Sequence, residues 1–149
     1  MSSIFFNTLL ILQSVNLHRS YHCSPPVTWD TTIQKSAQNW ADNLASTNGF
    51  FHSNSNYGEN LAMVFDPSLN SDATPNAYTS IDLWYAEIKD YQYNNPGFFM
   101  NTGHFTQLVW KSSRRIGVGI SKNSFSRVIV VMQFDPPGNY DTPTLFKKM

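Results

Sequence analysis

Ile116-Gly117-Val118-Gly119-Ile120-Ser121 and Arg127-Val128-Ile129-Val130-Val131-Met132-Gln133-Phe134 are the two runs on which the fold turns. The first alternates Ile116, Val118 and Ile120 on one face with glycines on the other. The second is apolar on both faces in Val128 to Val131, the pattern of a central strand covered on both sides. The linker between them, Lys122 to Ser126, is short enough for an antiparallel hairpin. Working outward, Leu61 to Phe65 and Phe50-Phe51 are short apolar runs, each a strand or a buried loop. Ile33, Ala37, Trp40, Ala41 and Leu44 recur at helical spacing, and so do Ile81, Trp84, Tyr85 and Ile88. Helices before and between few strands predict an α+β fold in a three-layer arrangement.

Boundary signals divide the chain further. Pro25-Pro26 ends the first helical stretch, since proline disfavours helix in the residue before it. Asp30 or Thr31 caps the second helix, and Gly49 is its expected stop. Asp66 to Asn76, with Pro67 and Pro75, reads as an exposed loop. The helix after it runs from Ala77 to about Tyr91. Asn94-Asn95-Pro96-Gly97 is a turn. Thr102 is the expected N-cap of a short helix whose buried side carries Leu108 and Val109. Residues 13–149 read as a single domain. The apolar segment within residues 1–12 has two readings, a signal-peptide remnant or the start of a first helix through Leu9, Leu12 and Val15.

Composition bounds the function. The chain has 149 residues, ten basic and ten acidic side chains, and 13% charged residues. Zero net charge argues against a nucleic-acid partner held by bulk charge. Aromatics at 15% argue against disorder. The single cysteine, Cys23, excludes an internal disulfide framework and a cysteine-based zinc site.

Eight of the ten acids are aspartate, and the two glutamates are Glu59 and Glu87. Taken alone, each glutamate reads more readily as a solvated flank residue than as a site. His18 and His22, at i and i+4, share a helical face as two metal ligands do, but no third ligand sits near them in sequence. His104 falls in the first turn of the predicted short helix, where the macrodipole disfavours imidazolium and favours the neutral, metal-binding form. A lone histidine there is more often a structural hydrogen-bonding group. No nucleophile elbow, P-loop, dinucleotide fingerprint or His-Glu-X-X-His run occurs.

Gly103-His104-Phe105-Thr106-Gln107-Leu108-Val109-Trp110-Lys111-Ser112-Ser113 closely resembles the first signature of the CAP superfamily, which groups cysteine-rich secretory, antigen five and pathogenesis-related proteins. Val130-Val131-Met132-Gln133-Phe134-Asp135-Pro136-Pro137-Gly138-Asn139 approximates the second. Pro25 to Asp30, Gly58-Glu59-Asn60-Leu61-Ala62 and Trp84-Tyr85-Ala86-Glu87 match further family segments in order. The likeness covers residues 12 to 146. It departs where Met132 and Phe134 stand in place of the usual Cys and Tyr, and Val15 and His18 in place of His and Tyr. The missing cysteines make the chain similar to the Golgi-associated branch.

The resemblance implies that the α+β fold is a three-layer α-β-α sandwich with a small central antiparallel sheet, and a cleft of two histidines and two glutamates: His52, Glu59, Glu87 and His104. His52 is carried over by its place seven residues before Glu59. His52 and His104 are then the ligands of zinc or another divalent cation, at about 2.0–2.1 Å. Glu59 and Glu87 would support them from behind. The implied function is a non-enzymatic binding module for lipid, sterol or a membrane surface. The alternatives are a zinc-dependent hydrolase with Glu59 or Glu87 as catalytic base, and a secreted defence or interaction protein. Phe98-Phe99-Met100 is the candidate lipid patch, although core is the commoner place for such residues. Arg114-Arg115 and Lys147-Lys148 are candidate basic spots. The implied location is extracellular, or Golgi- and membrane-associated.

Overall fold

A computed structural model describes residues 4–140; Lys147-Lys148 and the last residues of the chain lie outside them. In chain order the elements are α1 (Thr8–Ser20), β1 (Thr28–Trp29), α2 (Thr31–Thr47), β2 (Gly58–Phe65) and α3 (Thr74–Ala86). A 3-10 turn (Glu87–Asp90), α4 (Gly103–Leu108), β3 (Arg115–Lys122) and β4 (Arg127–Asp135) follow. The sheet order is β1-β3-β4-β2.

The hairpin forms as the alternation predicts, with Ile116 opposite Phe134 and Gly119 opposite Val131. β2 adds antiparallel on the other side of β4, with Glu59 opposite Gln133. The sheet is antiparallel except at one corner, where two-residue β1 lies parallel to the start of β3. β4 is central, and Val128 to Phe134 are buried throughout. Its alternate residues serve two cores. Val128, Val130, Met132 and Phe134 pack with Ile11, Val15, Ile81, Trp84, Phe105 and Leu108 from α1, α3 and α4. Ile129 and Val131 pack with Ala37, Ala41 and Leu44 of α2. These are the three layers.

Gly117 and Gly119 let α2 lie almost on the sheet. A Cβ on Gly119 would sit 2.3 Å from the backbone of Gln38, and one on Gly117 2.1 Å from that of Gln34. The close approach also lets the Gln38 amide pair with both backbone groups of Ile120. Its Nε2 donates to the Ile120 carbonyl at 2.8 Å, and its Oε1 accepts from the Ile120 N–H at 3.0 Å. A side chain thus closes the sheet edge where β1 has run out.

Several boundaries differ from those expected. α1 ends at Ser20, ahead of Pro25, because Cys23 takes a left-handed conformation (φ 54°) and the chain turns back through Ser24 N–H donating to the Arg19 carbonyl. The left-handed residue ending α2 is Asn48 (φ 56°), one before Gly49. The cap of α2 is Asp30, whose Oδ1 accepts from Thr32 and Ile33 N–H. α3 begins inside the expected loop, at Thr74 with Pro75 in its first turn, where a missing N–H costs nothing. It gives way to the 3-10 turn at Glu87. Phe50 and Phe51 belong to no strand and are exposed, with the Trp40 indole donating to the Phe51 carbonyl.

Arg19 is buried in the layer of α1, α3 and α4. Its guanidinium donates to four carbonyls, those of Pro25, Leu108, Trp110 and Ser113, at 2.9 to 3.0 Å. Burial, with help from Arg114, pulls its pKa down to about 10. It is therefore still cationic at neutral pH, and it holds the chain that follows α4 against α1.

Candidate functional site

Two histidine–glutamate pairs form, one on each side of edge strand β2. Glu59 lies in β2 beside Gln133 of β4, on the face toward α2. His52 reaches it from the segment before β2, with its Nδ1 2.8 Å from Glu59 Oε1. Three further groups donate to the same carboxylate: Ser53 N–H at 3.0 Å, Ser53 Oγ at 2.6 Å and Gln133 Nε2 at 2.8 Å. The carboxylate side chain is 6% exposed and the imidazole 64%.

Burial works to raise the pKa of Glu59, and the hydrogen bonds from His52, Ser53 and Gln133 outweigh it, so the net direction is down. For His52 the Glu59 hydrogen bond raises the pKa, against the lowering effect of burial. His52 therefore contributes stability that is complete below its ordinary 6.5 and lost as pH rises through the raised value. Glu59 contributes stability that is complete above its ordinary 4.5 and lost as pH falls through the lowered value. Both contributions are complete between 4.5 and 6.5. An NMR titration of the His52 ring is expected to show a midpoint above 6.5 that moves back toward it in Glu59→Gln. An unchanged midpoint in that variant would contradict the pairing.

The second pair is built differently. Glu87 stands where α3 passes into the 3-10 turn, and its carboxylate caps α4 from outside that helix. Oε1 accepts from the backbone N–H of His104 at 2.9 Å and of Phe105 at 3.1 Å, and Oε2 lies 2.9 Å from His104 Nδ1. Thr102, the expected cap, occupies the cap position but its side chain bonds no N–H of the helix. The His104 ring also stacks on Trp84, with centroids 6.3 Å apart.

β2 links the two pairs. Asn60, the neighbour of Glu59, points through the opposite face and donates its amide to the His104 carbonyl at 3.0 Å. Adjacent strand residues thus support the two histidines, Glu59 through its side chain and Asn60 through the backbone of α4. Both imidazoles have Nδ1 on a carboxylate, which leaves each Nε2 for another ligand. Among the described residues no three His, Cys, Asp or Glu side chains are grouped to hold a metal. An ion held by both imidazoles would need other ligands as well. Two cavities, of about 610 and about 430 Å³, lie away from both pairs.

Ser53, Gln133 and Asn60 escaped the sequence reading as site residues. A buried Gln in an otherwise apolar strand was the available signal for Gln133. Its Nε2 goes to Glu59, and its Oε1 is buried with no partner among the described residues. His18 and His22 are otherwise engaged. His18 Nδ1 lies 2.8 Å from the Ser14 carbonyl, and His22 Nε2 2.9 Å from the Tyr85 hydroxyl. Burial, then the neighbouring His18 and Lys111, lower the His22 pKa.

The model of the CAP family, described as the cysteine-rich secretory protein family, matches residues 12–134. The chain belongs to the CAP family. It is 33% identical over 142 residues to human Golgi-associated plant pathogenesis-related protein 1, covering 93% of this chain and 88% of that one. It is 38% identical over 116 residues to Protein PRY2 of Saccharomyces cerevisiae, covering 77% of this chain but 32% of that one. With tomato (Solanum lycopersicum) pathogenesis-related protein 1A1 the identity is 39% over 119 residues, 77% of this chain and 63% of the relative. Among solved structures, that of NaASP2 with Zn2+ superposes with a TM-score of 0.77 at 22% identity, over 93% of this chain and 84% of that one. At that identity the likeness shows the fold, which is the CAP sandwich.

Proposed function

We propose that this CAP domain is a binding module that takes one divalent cation between His52 and His104. One observation carries the reading: each imidazole has its Nδ1 on a hydrogen-bonded carboxylate. Such a partner fixes the tautomer with the proton on Nδ1, raises ligand basicity and leaves the Nε2 lone pair outward. The donor set suits zinc, which accepts neutral imidazole. A bound ion would supply an electrophilic centre with positions open to water or a ligand. Glu59 and Glu87 would orient the rings, and Asn60 would hold α4 in place behind His104. NaASP2, which shares the fold, was crystallised with Zn2+, and that analogy supports the reading.

The carboxylates favour binding over hydrolysis. A catalytic base works best with a pKa near the operating pH. Glu59 is shifted the other way, with four donors on its oxygens. Glu87 is committed to the α4 cap.

Calorimetric titration with zinc is expected to give one site per chain, weaker than a three-ligand site. His52→Ala and His104→Ala should each abolish it with folding intact. Binding that survives either change, or a stoichiometry of two, would overturn the shared site. Zinc-dependent peptide cleavage lost in both variants would instead establish the hydrolase.

A second reading, peripheral membrane contact, rests on Phe98, Phe99 and Met100. They are exposed (39%, 42% and 86%), not core, and the Phe98 ring packs at the start of α4 against Gly103. Arg114 adds an exposed cation, whereas Arg115 is paired with Asp30 and Asp135. Among the described residues no helix is long and apolar enough to cross a bilayer. Phe99→Ser/Met100→Ser should reduce sedimentation with phosphatidylcholine–phosphatidylserine vesicles by about tenfold. Unchanged sedimentation would remove the patch from consideration. We infer a place in or beyond the secretory pathway. The names of two relatives, the human Golgi-associated protein and secreted protein RBT4 of Candida albicans, support it.

A further inference from the structure

The cavity of about 610 Å³ lies at the other end of the sheet from both histidine pairs, between the loop after β2 and the tip of the β3–β4 hairpin. Its walls are built rather than loose. Asp66 N–H donates to the Ser126 carbonyl at 2.8 Å, and Lys122 Nζ to the Ser68 carbonyl at 2.5 Å, joining loop to hairpin. Phe5 N–H donates to the Ser71 carbonyl at 3.0 Å and closes one side. Asn123 Oδ1 holds the hairpin tip by accepting from Phe125 and Arg127 N–H.

The chemistry of the lining is uniform. Ser71, Ser121, Ser124 and Ser126 all line the cavity, and none of their hydroxyls bonds to another described residue. Three of the four are half-buried, so they are not casual surface serines. A hydroxyl both donates and accepts and rotates to suit its partner. Four around one hollow match a ligand that is itself rich in hydroxyls.

Charge narrows the class. Lys122 is the cation of the lining. Asp66 stands beside it, its pKa brought down to about 2 chiefly by the Ser68 hydroxyl and N–H, so the two charges offset each other across the working pH range. An anion therefore finds no excess of positive charge. Pro67 and Leu69 supply an apolar wall suited to the C–H face of a sugar ring, and Leu69 is fully exposed.

We propose that this cavity binds a neutral saccharide of one or two rings, with the hydroxyls of Ser71, Ser121, Ser124 and Ser126 reading its vicinal diols. The volume admits such a ligand. The site is independent of the histidine pairs, so its fate and that of the cation reading are separable.

The test is a 15N NMR titration of the whole chain with methyl glycosides of glucose, mannose and galactose, with N-acetylglucosamine, and separately with inorganic phosphate. At least one sugar is expected to bind with a dissociation constant on the order of 1 mM, shifting amides in residues 68–71 and 121–126. Ser121→Ala/Ser126→Ala should weaken that binding about tenfold, and Ser71→Ala, on the opposite wall, should also weaken it. Amides around His52 and His104 should stay unmoved. No shift with any sugar would overturn the proposal. So would shifts from phosphate alone, which would make it an anion site, or sugar binding undiminished in both serine variants.

Discussion

Gly119→Ala is expected to cost about 3 kcal/mol of stability, the upper part of the range for overpacking a tight interface. The added Cβ would lie 2.3 Å from the Gln38 backbone. A helix backbone cannot swing aside as a side-chain tip does, so α2 as a whole must rise from the sheet. Lifting it stretches both Gln38–Ile120 hydrogen bonds and loosens the packing of Ala37, Ala41 and Leu44 on Ile129 and Val131. Against a total of about 5–15 kcal/mol, that is a large fraction. Gly97→Ala is the control. There a Cβ meets only the Phe99 ring, at 3.6 Å, and the change should stay within about 0.5 kcal/mol. Urea unfolding of the three proteins measures both. Equal midpoints for Gly119→Ala and the parent would show that the sheet does not need this close approach.

Arg19→Met should cost at least about 3 kcal/mol, because it strands the carbonyls of Pro25, Leu108 and Ser113, which receive no other hydrogen bond from the described residues. Two effects compete. Removing a buried cation relieves its desolvation, which the fall of its pKa to about 10 reflects. The carbonyls of Pro25, Leu108 and Ser113 then lose their donor together, while that of Trp110 keeps the Ser113 N–H at 3.2 Å. Each orphaned acceptor costs about 1–3 kcal/mol, so three outweigh the relief. Arg19→Lys keeps the charge but cannot fork to four acceptors, and it should fall between methionine and the parent. Urea unfolding gives the order. A methionine variant as stable as the parent would mean that the charge costs as much as its hydrogen bonds return. Because three of the carbonyls lie in residues 108–113, at the end of α4 and directly after it, loss of Arg19 should also weaken the zinc binding proposed for His104.

Much of the architecture was legible in short-range pattern. Hydrophobic alternation in Ile116 to Ile120 and the two-sided run Val128 to Val131 predict the hairpin and its central strand, since strand faces alternate by residue. The stripe Ile33, Ala37, Ala41, Leu44 predicts which face of α2 is buried. Helix ends were less legible, because Cys23 and Asn48 adopt left-handed conformations that residue type does not announce. Glu87 shows the limit most clearly. Read on its helix it looks like a flank carboxylate, yet it caps α4 and fixes His104, a role set by a residue seventeen positions away.

By itself the sequence determined the layers and the family, and its family motifs singled out His52, Glu59, Glu87 and His104 as candidates, because periodicity and motif are local properties of the chain. Only the tertiary structure decided that these four form two pairs with Nδ1 on carboxylate, that Asn60, Ser53 and Gln133 support them, and that four serines face one hollow. Hydrogen-bond partners are chosen by which backbones the sheet register brings within about 3 Å, and no spacing along the chain encodes that.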